Sequence, residues 1–277
     1  MRVSWLFAAS LLFAVGNVFC ASSVADEPGL TQRHHFWGHF QPGAWKLVRV
    51  KTEVFDDESP LNSVTETKTT LSDVDDVGVT LLVEASVMVG GKRLSSDPQS
   101  ICEGFHGELA SNSPQVTSLG PGEVVIENRR VACQIVQLEY PRTAGRKVSK
   151  VYYTDVLEPY ILRRETATYG TTTEEPISET VVEVVALEAP CRLFRSFRSA
   201  ARLKSVRKDS SGTTTTWAWT SSLVPGGVIH HTSEQVDTEG RLIRRSSLEL
   251  LDYGLQEPTG RSGLFWRWRS SRNRPSH

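Results

Sequence analysis

The chain contains one three-strand pattern twice, in residues 151–187 and again in residues 217–253. Each copy predicts a strand, a corner marked by proline, a second strand, a polar turn and a third strand. We attribute a one-residue shift after the corner to an extra glycine in the second copy. At constant spacing, the matched positions include Tyr153 with Trp219 and Pro159 with Pro225. A chain that repeats antiparallel hairpins in this way is confined to sheet architectures.

Alternation of apolar and polar residues predicts further strands before the repeated pattern. They cover residues 43–54, 64–71, 78–89 and 132–140. The Gly90-Gly91 pair predicts a hairpin turn, and residues 95–121 predict mostly loop. The one helix candidate lies within residues 192–207, which also fit a strand. The sequence therefore predicts a mainly β protein with little helix: a long curved antiparallel sheet, or open half-barrel, built from repeated hairpin units.

Residues 1–25 have the composition of a signal peptide. Arg2 gives a short positive region, an apolar run over residues 5–15 follows, and small residues precede a cleavage site before Asp26. A membrane-spanning helix needs about 20 apolar residues, which is more than this run provides. We therefore expect a cleaved signal peptide and a secreted or periplasmic location.

The rest of the chain divides by composition. Residues 26–42 predict a flexible leader, residues 43–253 the repeated β-sheet domain, and residues 254–277 a disordered basic tail. Residues 189–208 carry many cations and no acid. They fit either a basic amphipathic helix on an anionic membrane or a strand at a sheet edge that positive charge protects. Membrane contact through the basic segments is therefore one hypothesis about partners.

The sequence argues against several classes of function. A net charge of −1 gives no electrostatic reason for nucleic-acid binding, and motifs for phosphate, dinucleotide, zinc-protease and serine-hydrolase sites are absent. We expect no cofactor and assign no catalytic residue, since Glu183 and Glu249 should point outward from alternating strands. His34, His35 and His39 are weak candidates for metal ligands.

Cysteine use agrees with export but predicts no particular disulfide. Cys20 would leave with the signal peptide, and Cys102, Cys133 and Cys191 would remain in an oxidising compartment. Pairing among the three stays open, as does the alternative of buried, unpaired thiols.

Apolar residues occupy alternate positions on the repeated strands, so each strand offers one apolar side. The candidates for a ligand groove on that side are Tyr153, Trp217, Trp219, Val182 and Leu248. If the sheet curves with this side inward, these residues line a groove for an apolar ligand or fill a core. Both interpretations stay open for Trp219.

Residues 152–159 and 219–228 both carry an aromatic-led strand into a proline corner. In this pattern the chain resembles the curved-sheet, half-barrel carriers of the outer-membrane lipoprotein localisation type. It also resembles uncharacterised secreted β-repeat proteins of planctomycete-type bacteria. The resemblance covers about residues 43–253 and implies a concave sheet that holds a lipid or a peptide.

Three functional hypotheses follow. The leading one is an exported, non-enzymatic β-sheet protein that binds an apolar or amphipathic ligand, or an envelope partner, on its concave face. A hydrolase with a carboxylate or histidine site is the first alternative, and a structural component of the cell envelope is the second. A convergent polar cluster in a pocket would favour the enzyme, and a dry groove would favour the binding protein.

Overall fold

The computed structural model of the chain describes residues 29–55, 61–108, 113–142, 145–171 and 173–256. The predicted signal peptide and most of the predicted basic tail lie outside these residues. Within the described part of the chain, regular structure is almost entirely strand, and the single helical element is a 3-10 turn at Gln32–His34.

Fourteen strands form in these residues. They are β1 (Trp45–Val54), β2 (Leu61–Val74), β3 (Gly78–Val89), β4 (Lys92–Ser95), β5 (Gln99–Gly104), β6 (Gln115–Ile126), β7 (Arg129–Arg142), β8 (Gly145–Tyr153), β9 (Ile161–Tyr169), β10 (Pro176–Leu193), β11 (Ser196–Asp209), β12 (Gly212–Thr220), β13 (Val228–Val236) and β14 (Leu242–Gly254).

All fourteen strands belong to one antiparallel sheet with the order β4-β3-β2-β1-β14-β13-β12-β11-β10-β9-β8-β7-β6. Most strands pair with their neighbours in sequence, but β1 pairs with β14 as well as with β2 and so joins the two halves of the chain. β4 and β5 share the outer side of β3. The predicted fold, one open and curved antiparallel sheet, is confirmed.

The N-terminal residues show how strongly this sheet curves. Leu30 belongs to a buried cluster with Val151 of β8, and Trp37 belongs to a buried cluster with Leu71 of β2. β2 and β8 are eight strand steps apart, which is about 38 Å in a flat sheet. The chain from residue 30 to residue 37 spans at most about 25 Å. The sheet must therefore bend until β2 and β8 approach each other, and the face that these residues cover is the concave face.

The predicted leader is in part a packed element. Residues 29–44, which we call the cap segment, place Leu30, His34 and Trp37 at 5–6% exposure. Apolar side chains spaced irregularly along a loop carry no strand or helix period, so their burial could not be recognised from the pattern. The cap segment covers the end of the sheet at which β8 and β12 finish.

Two local predictions need correction. Residues 192–207 contain no helix: they fall mostly in β11, which is a central strand rather than an edge because β10 and β12 flank it. Two cations of β11 have acids opposite them on β10, where Glu183 pairs with Lys204 and Glu179 with Lys208.

Residues 95–121, predicted as mostly loop, contain β5 and half of β6. β6 lies at the edge of the sheet, the position in which a strand tolerates a proline such as Pro121. A bulge between Ser118 and Gly120 accommodates the glycine at positive φ. The hairpin predicted at Gly90-Gly91 is confirmed, with both glycines at positive φ between β3 and β4.

The alignment of the repeated pattern is wrong by one residue in its first strand. Tyr152 pairs with Arg163 and Trp219 pairs with His230, and a bulge follows each pair. Tyr152 rather than Tyr153 therefore corresponds to Trp219. The corners, residues 154–160 and 221–227, have equal length, so the extra residue is not in the corner, and Pro159 lies one position later than Pro225. A shift of one residue moves a strand's side chains to the opposite face.

Candidate ligand-binding faces

Two buried apolar clusters lie beneath the cap segment on the concave face. The first joins Leu30 to side chains of β7 and β8: Val136, Leu138, Tyr140, Val151 and Tyr153. The second joins Trp37 to side chains of β2, β3 and the loop after β5: Leu71, Val79, Leu81 and Phe105. The predicted groove residue Tyr153 is therefore covered by the cap segment and is 5% exposed.

His34 anchors the cap segment to the β8–β9 corner. Its Nδ1 accepts a hydrogen bond of 3.0 Å from the Thr31 backbone N–H, so the neutral ring carries its proton on Nε2. That Nε2 lies 3.1 Å from Asp155 Oδ1 but is not aligned for a hydrogen bond. The ring also meets Tyr153 edge-on at 4.9 Å. Burial lowers the pKa of His34 despite the opposing effect of Asp155.

The other two predicted metal candidates contact different parts of the protein. His35 Nε2 lies 3.8 Å from Glu103 Oε1, and His39 Nε2 donates to the Ser222 carbonyl at 3.1 Å. The three imidazoles are thus directed at three separate partners. Among the described residues, no group of three or more potential ligands could hold a metal ion.

Lys46 is enclosed where the cap segment meets the β12–β13 corner. Its Nζ donates to the Gly226 carbonyl at 3.2 Å and lies 5.3 Å from the centre of a Trp37 ring. Burial lowers the pKa of Lys46 to about 8, and the nearby Glu103 carboxylate opposes this shift. A group of interleaved aromatic and cationic side chains therefore holds the cap segment at this end.

A second loop also reaches into the concave face. The guanidinium of Arg164 donates to the His106 carbonyl at 2.7 Å, and the Tyr140 hydroxyl donates to the same oxygen at 3.0 Å. Burial lowers the pKa of Arg164 and raises the pKa of Tyr140 to about 12. Arg164 Nε and Glu108 Oε2 are buried with no hydrogen-bond partner among the described residues. This polar cluster was missed because its members are spread over 58 residues of sequence.

The central part of the concave face carries a row of hydroxyl groups. Direct cross-strand partners lie on the same face, and six of them in succession are Ser or Thr. From β2 to β11 they are Ser63, Thr52, Ser246, Ser233, Thr216 and Ser205. Thr216 donates to Ser233 at 2.8 Å. These short side chains are only half-buried, so they leave space on the inner side of the curve.

Two predicted groove residues, Val182 and Leu248, adjoin this hydroxyl row. Val182 continues it from Ser205 towards Arg164. Leu248 lies in the next row nearer the cap segment, where further members of that row are Val50, His231, Ala218 and Leu203. Both predicted residues are half-buried. Together with Tyr153, they place three of the five predicted groove residues on the concave face.

Trp217 and Trp219 lie on the opposite, convex face. Trp217 pairs with Lys204 and Thr232, and Trp219 pairs with Arg202 and His230. All of these positions share the face of the ion-paired side chains of β1 and β2. The one-residue misalignment explains the difference, because it matched Trp219 to Tyr153 instead of Tyr152.

Carboxylates of the repeated strands pair with arginines on the convex face. Glu183 lies 3.5 Å from Arg163, and Glu249 lies 3.4 Å from Arg49. Such exposed pairs are worth little stability individually, and they give neither glutamate the environment of a general acid. The three cysteines of the described residues are unpaired: Cys102 is exposed, and Cys133 and Cys191 are buried.

Comparisons with known proteins give only distant likenesses. The chain matches no protein-family model and no curated protein. A Bacteroides fragilis protein, described as exported and YmcC-like in fold, aligns with a TM-score of 0.31 and 9% identity over 78% of this chain and 97% of its own. A LolA superfamily protein of Nitrosomonas europaea gives a TM-score of 0.32 and 10% identity, covering 83% of this chain and 94% of that one.

A third solved structure aligns to a similar extent. It is an outer membrane lipoprotein-sorting protein domain from Vibrio parahaemolyticus, with a TM-score of 0.33, 6% identity, and coverage of 78% of this chain and 86% of that one. Similarity this low carries no argument about function, which must come from the chain itself.

No helix among the described residues is long and apolar enough to cross a membrane.

Proposed function

We propose that the chain is an exported, non-enzymatic binding protein whose concave face takes up the apolar part of an amphipathic ligand. Export rests on the predicted signal peptide of residues 1–25. The proposal of ligand uptake rests on the way the cap segment covers the concave face.

The observation that carries the proposal is that few backbone hydrogen bonds tie the cap segment to the sheet. Three backbone hydrogen bonds join the cap segment to the other described residues. Two of them link Gly43 and Ala44, at the junction with β1, to Leu71 at 2.7 and 2.8 Å, and the third runs from the Gly226 N–H to the Phe36 carbonyl at 3.3 Å. Its remaining attachments are apolar contacts, histidine side chains and two cation–π contacts, Arg33 with Tyr160 and Lys46 with Trp37. Segments held in this way open at lower free energy than strands paired on both sides.

Beneath the cap segment, the concave face offers a graded surface. The apolar side chains of β7 and β8 pack with Leu30 of the cap segment. On the central strands, the row containing Leu248 and Ala218 lies nearest to the cap segment. The hydroxyl row comes next. An acyl chain would replace the contacts that Leu30 makes, and the half-buried rows would extend its path along the sheet.

Arg164 gives the concave face a polar anchor. Its guanidinium is buried beside Val151 and Val182, its direct cross-strand partners. The Nε donor has no partner among the described residues, and an unpaired buried donor is costly. An acceptor on the ligand, such as a carboxylate or phosphate oxygen, would satisfy it. An apolar surface with one such donor suits an amphipathic molecule better than a pure hydrocarbon.

The proposal is tested by placing a bulky side chain on the concave face, with a matched substitution on the convex face as the control. Ala218 and Thr215 lie on the same strand, β12, but on the concave and convex faces respectively. We expect Ala218→Trp to weaken binding of a fluorescent fatty acid by about tenfold or more, or about 1.4 kcal/mol, because the indole fills the groove. Thr215→Trp should leave the affinity unchanged.

Fluorescence titration measures both affinities, and circular dichroism checks that both variants keep the sheet. Equal affinities for the two variants would contradict binding at the concave face. Absence of fatty-acid binding by the unmodified protein would contradict the proposal as a whole.

A further inference from the structure

The convex face carries a stack of aromatic and cationic side chains that the concave-face proposal does not use. The guanidinium carbon of Arg202 lies 4.4 Å from the centre of a Trp217 ring and 5.2 Å from the centre of a Trp219 ring. Lys204 Nζ lies 5.5 Å from Trp217. These contacts fix the orientation of Trp217, and a fixed aromatic surface loses little entropy when it binds a ligand.

A trough of about 440 Å³ lies beside Trp217 and spans β12, β13, β14 and β1. Its volume falls in the ordinary range of small-molecule sites. Four hydroxyl-bearing residues line it. The register places the side chains of Thr215, Thr232 and Ser247 on the convex face, and that of Ser246 in the hydroxyl row of the concave face. Trp217 is the single large apolar side chain in the lining.

The charged side chains of the trough balance one another. Lys51 and Arg245 supply two cations, and Glu53 and Glu234 supply two carboxylates. Arg245 Nε donates to Glu234 Oε1 at 3.0 Å, which holds these two groups in place. A balanced site of this kind does not favour an anionic polymer, and a single indole is too small an apolar surface for an acyl chain.

We propose that this trough is a saccharide-binding site. One face of a sugar ring carries C–H groups and can stack on an indole, while its hydroxyls both donate and accept hydrogen bonds. The trough presents one indole, three hydroxyls, two carboxylates and two cations, which match both requirements. The ligand class is a neutral oligosaccharide, bound on the face opposite to the proposed acyl-chain groove and independently of it.

Calorimetric titration with chitotetraose, maltotetraose and cellotetraose tests the proposal. We expect at least one of them to bind saturably. Trp217→Ala should weaken that binding by about tenfold or more, because it removes the stacking surface. Thr232→Val removes one trough hydroxyl at nearly constant volume and should weaken binding severalfold. Thr214→Val, on β12 but facing the concave side, should have no effect.

Three results would overturn the proposal. The first is that none of the tetrasaccharides binds. The second is that Thr232→Val, which should fold even if Trp217→Ala does not, binds as tightly as the unmodified protein. The third is that a fluorescent fatty acid displaces the bound tetrasaccharide, since the two ligands would then share one site. Failure of fatty-acid binding alone would leave this site untouched.

Discussion

Replacing Trp37 with alanine is expected to lower the free energy of unfolding by about 3–5 kcal/mol. Trp37 is 5% exposed and packs in one cluster with Leu71, Val79 and Leu81. The substitution would leave a cavity between the cap segment and the sheet and would remove the aromatic ring beside the Lys46 ammonium. Chemical denaturation followed by circular dichroism measures the change.

Trp45→Ala provides the matched control. Trp45 begins β1, is only half-buried, and contacts Lys68 at its ring, with 5.6 Å between Nζ and the ring centre. Because less of this indole is removed from water, Trp45→Ala should lower the free energy of unfolding by clearly less than Trp37→Ala does. Equal losses for the two variants would contradict the description of the cap segment as a packed part of the fold.

Stability is expected to rise between about pH 8 and pH 10.5 because of Lys46. The folded pKa of Lys46 is about 8, against 10.5 for the unperturbed side chain. Between these values the unfolded chain binds more protons than the folded one, so the free energy of unfolding increases with pH. The full shift corresponds to about 3 kcal/mol. Below pH 8 both states are protonated and this contribution is flat.

Lys46→Met should remove most of that rise, because methionine fills a similar volume without a charge. Lys51→Met, at an exposed position on the same strand, should keep it. Denaturant unfolding at pH 7.5 and pH 10 gives, for each protein, the change in the free energy of unfolding with pH. An unchanged slope in Lys46→Met would show that the ammonium is hydrated in the folded state and that the cap segment does not enclose it.

Alternation along the chain predicted the sheet well because it depends only on local sequence. The strands around Val48, Val151 and Leu250 all follow a period of two, and antiparallel hairpins then pair neighbouring strands. The pairing of β1 with β14 joins residues about 200 positions apart, and no local pattern encodes it.

The face of the sheet on which a side chain lies was harder to predict than the position of its strand in the sequence. The repeated strands seemed to place Trp219 and Tyr153 in equivalent positions, yet one carries its ring on the convex face and the other is buried on the concave face. A one-residue error in alignment is enough to cause this. The strand ends seen in the structure reveal the error, since they give both corners the same length.

The cap segment was the largest omission. Its histidines suggested a metal site or an exposed leader, whereas His34, His35 and His39 each contact a different part of the sheet or its corners. The signal that was available is the density of aromatic residues around Trp37, which is unusual for a disordered segment.

Photolabelling tests the central claim most directly. A photoactivatable fatty acid is bound to the full-length protein, irradiated, and located by mass spectrometry of the labelled peptides. We predict labels on the concave face, at residues such as Val182, Leu248 and Val151, and on Leu30 of the cap segment. Labels concentrated on the convex face around Trp217, or spread without preference over both faces, would contradict uptake beneath the cap segment and favour a structural role in the envelope.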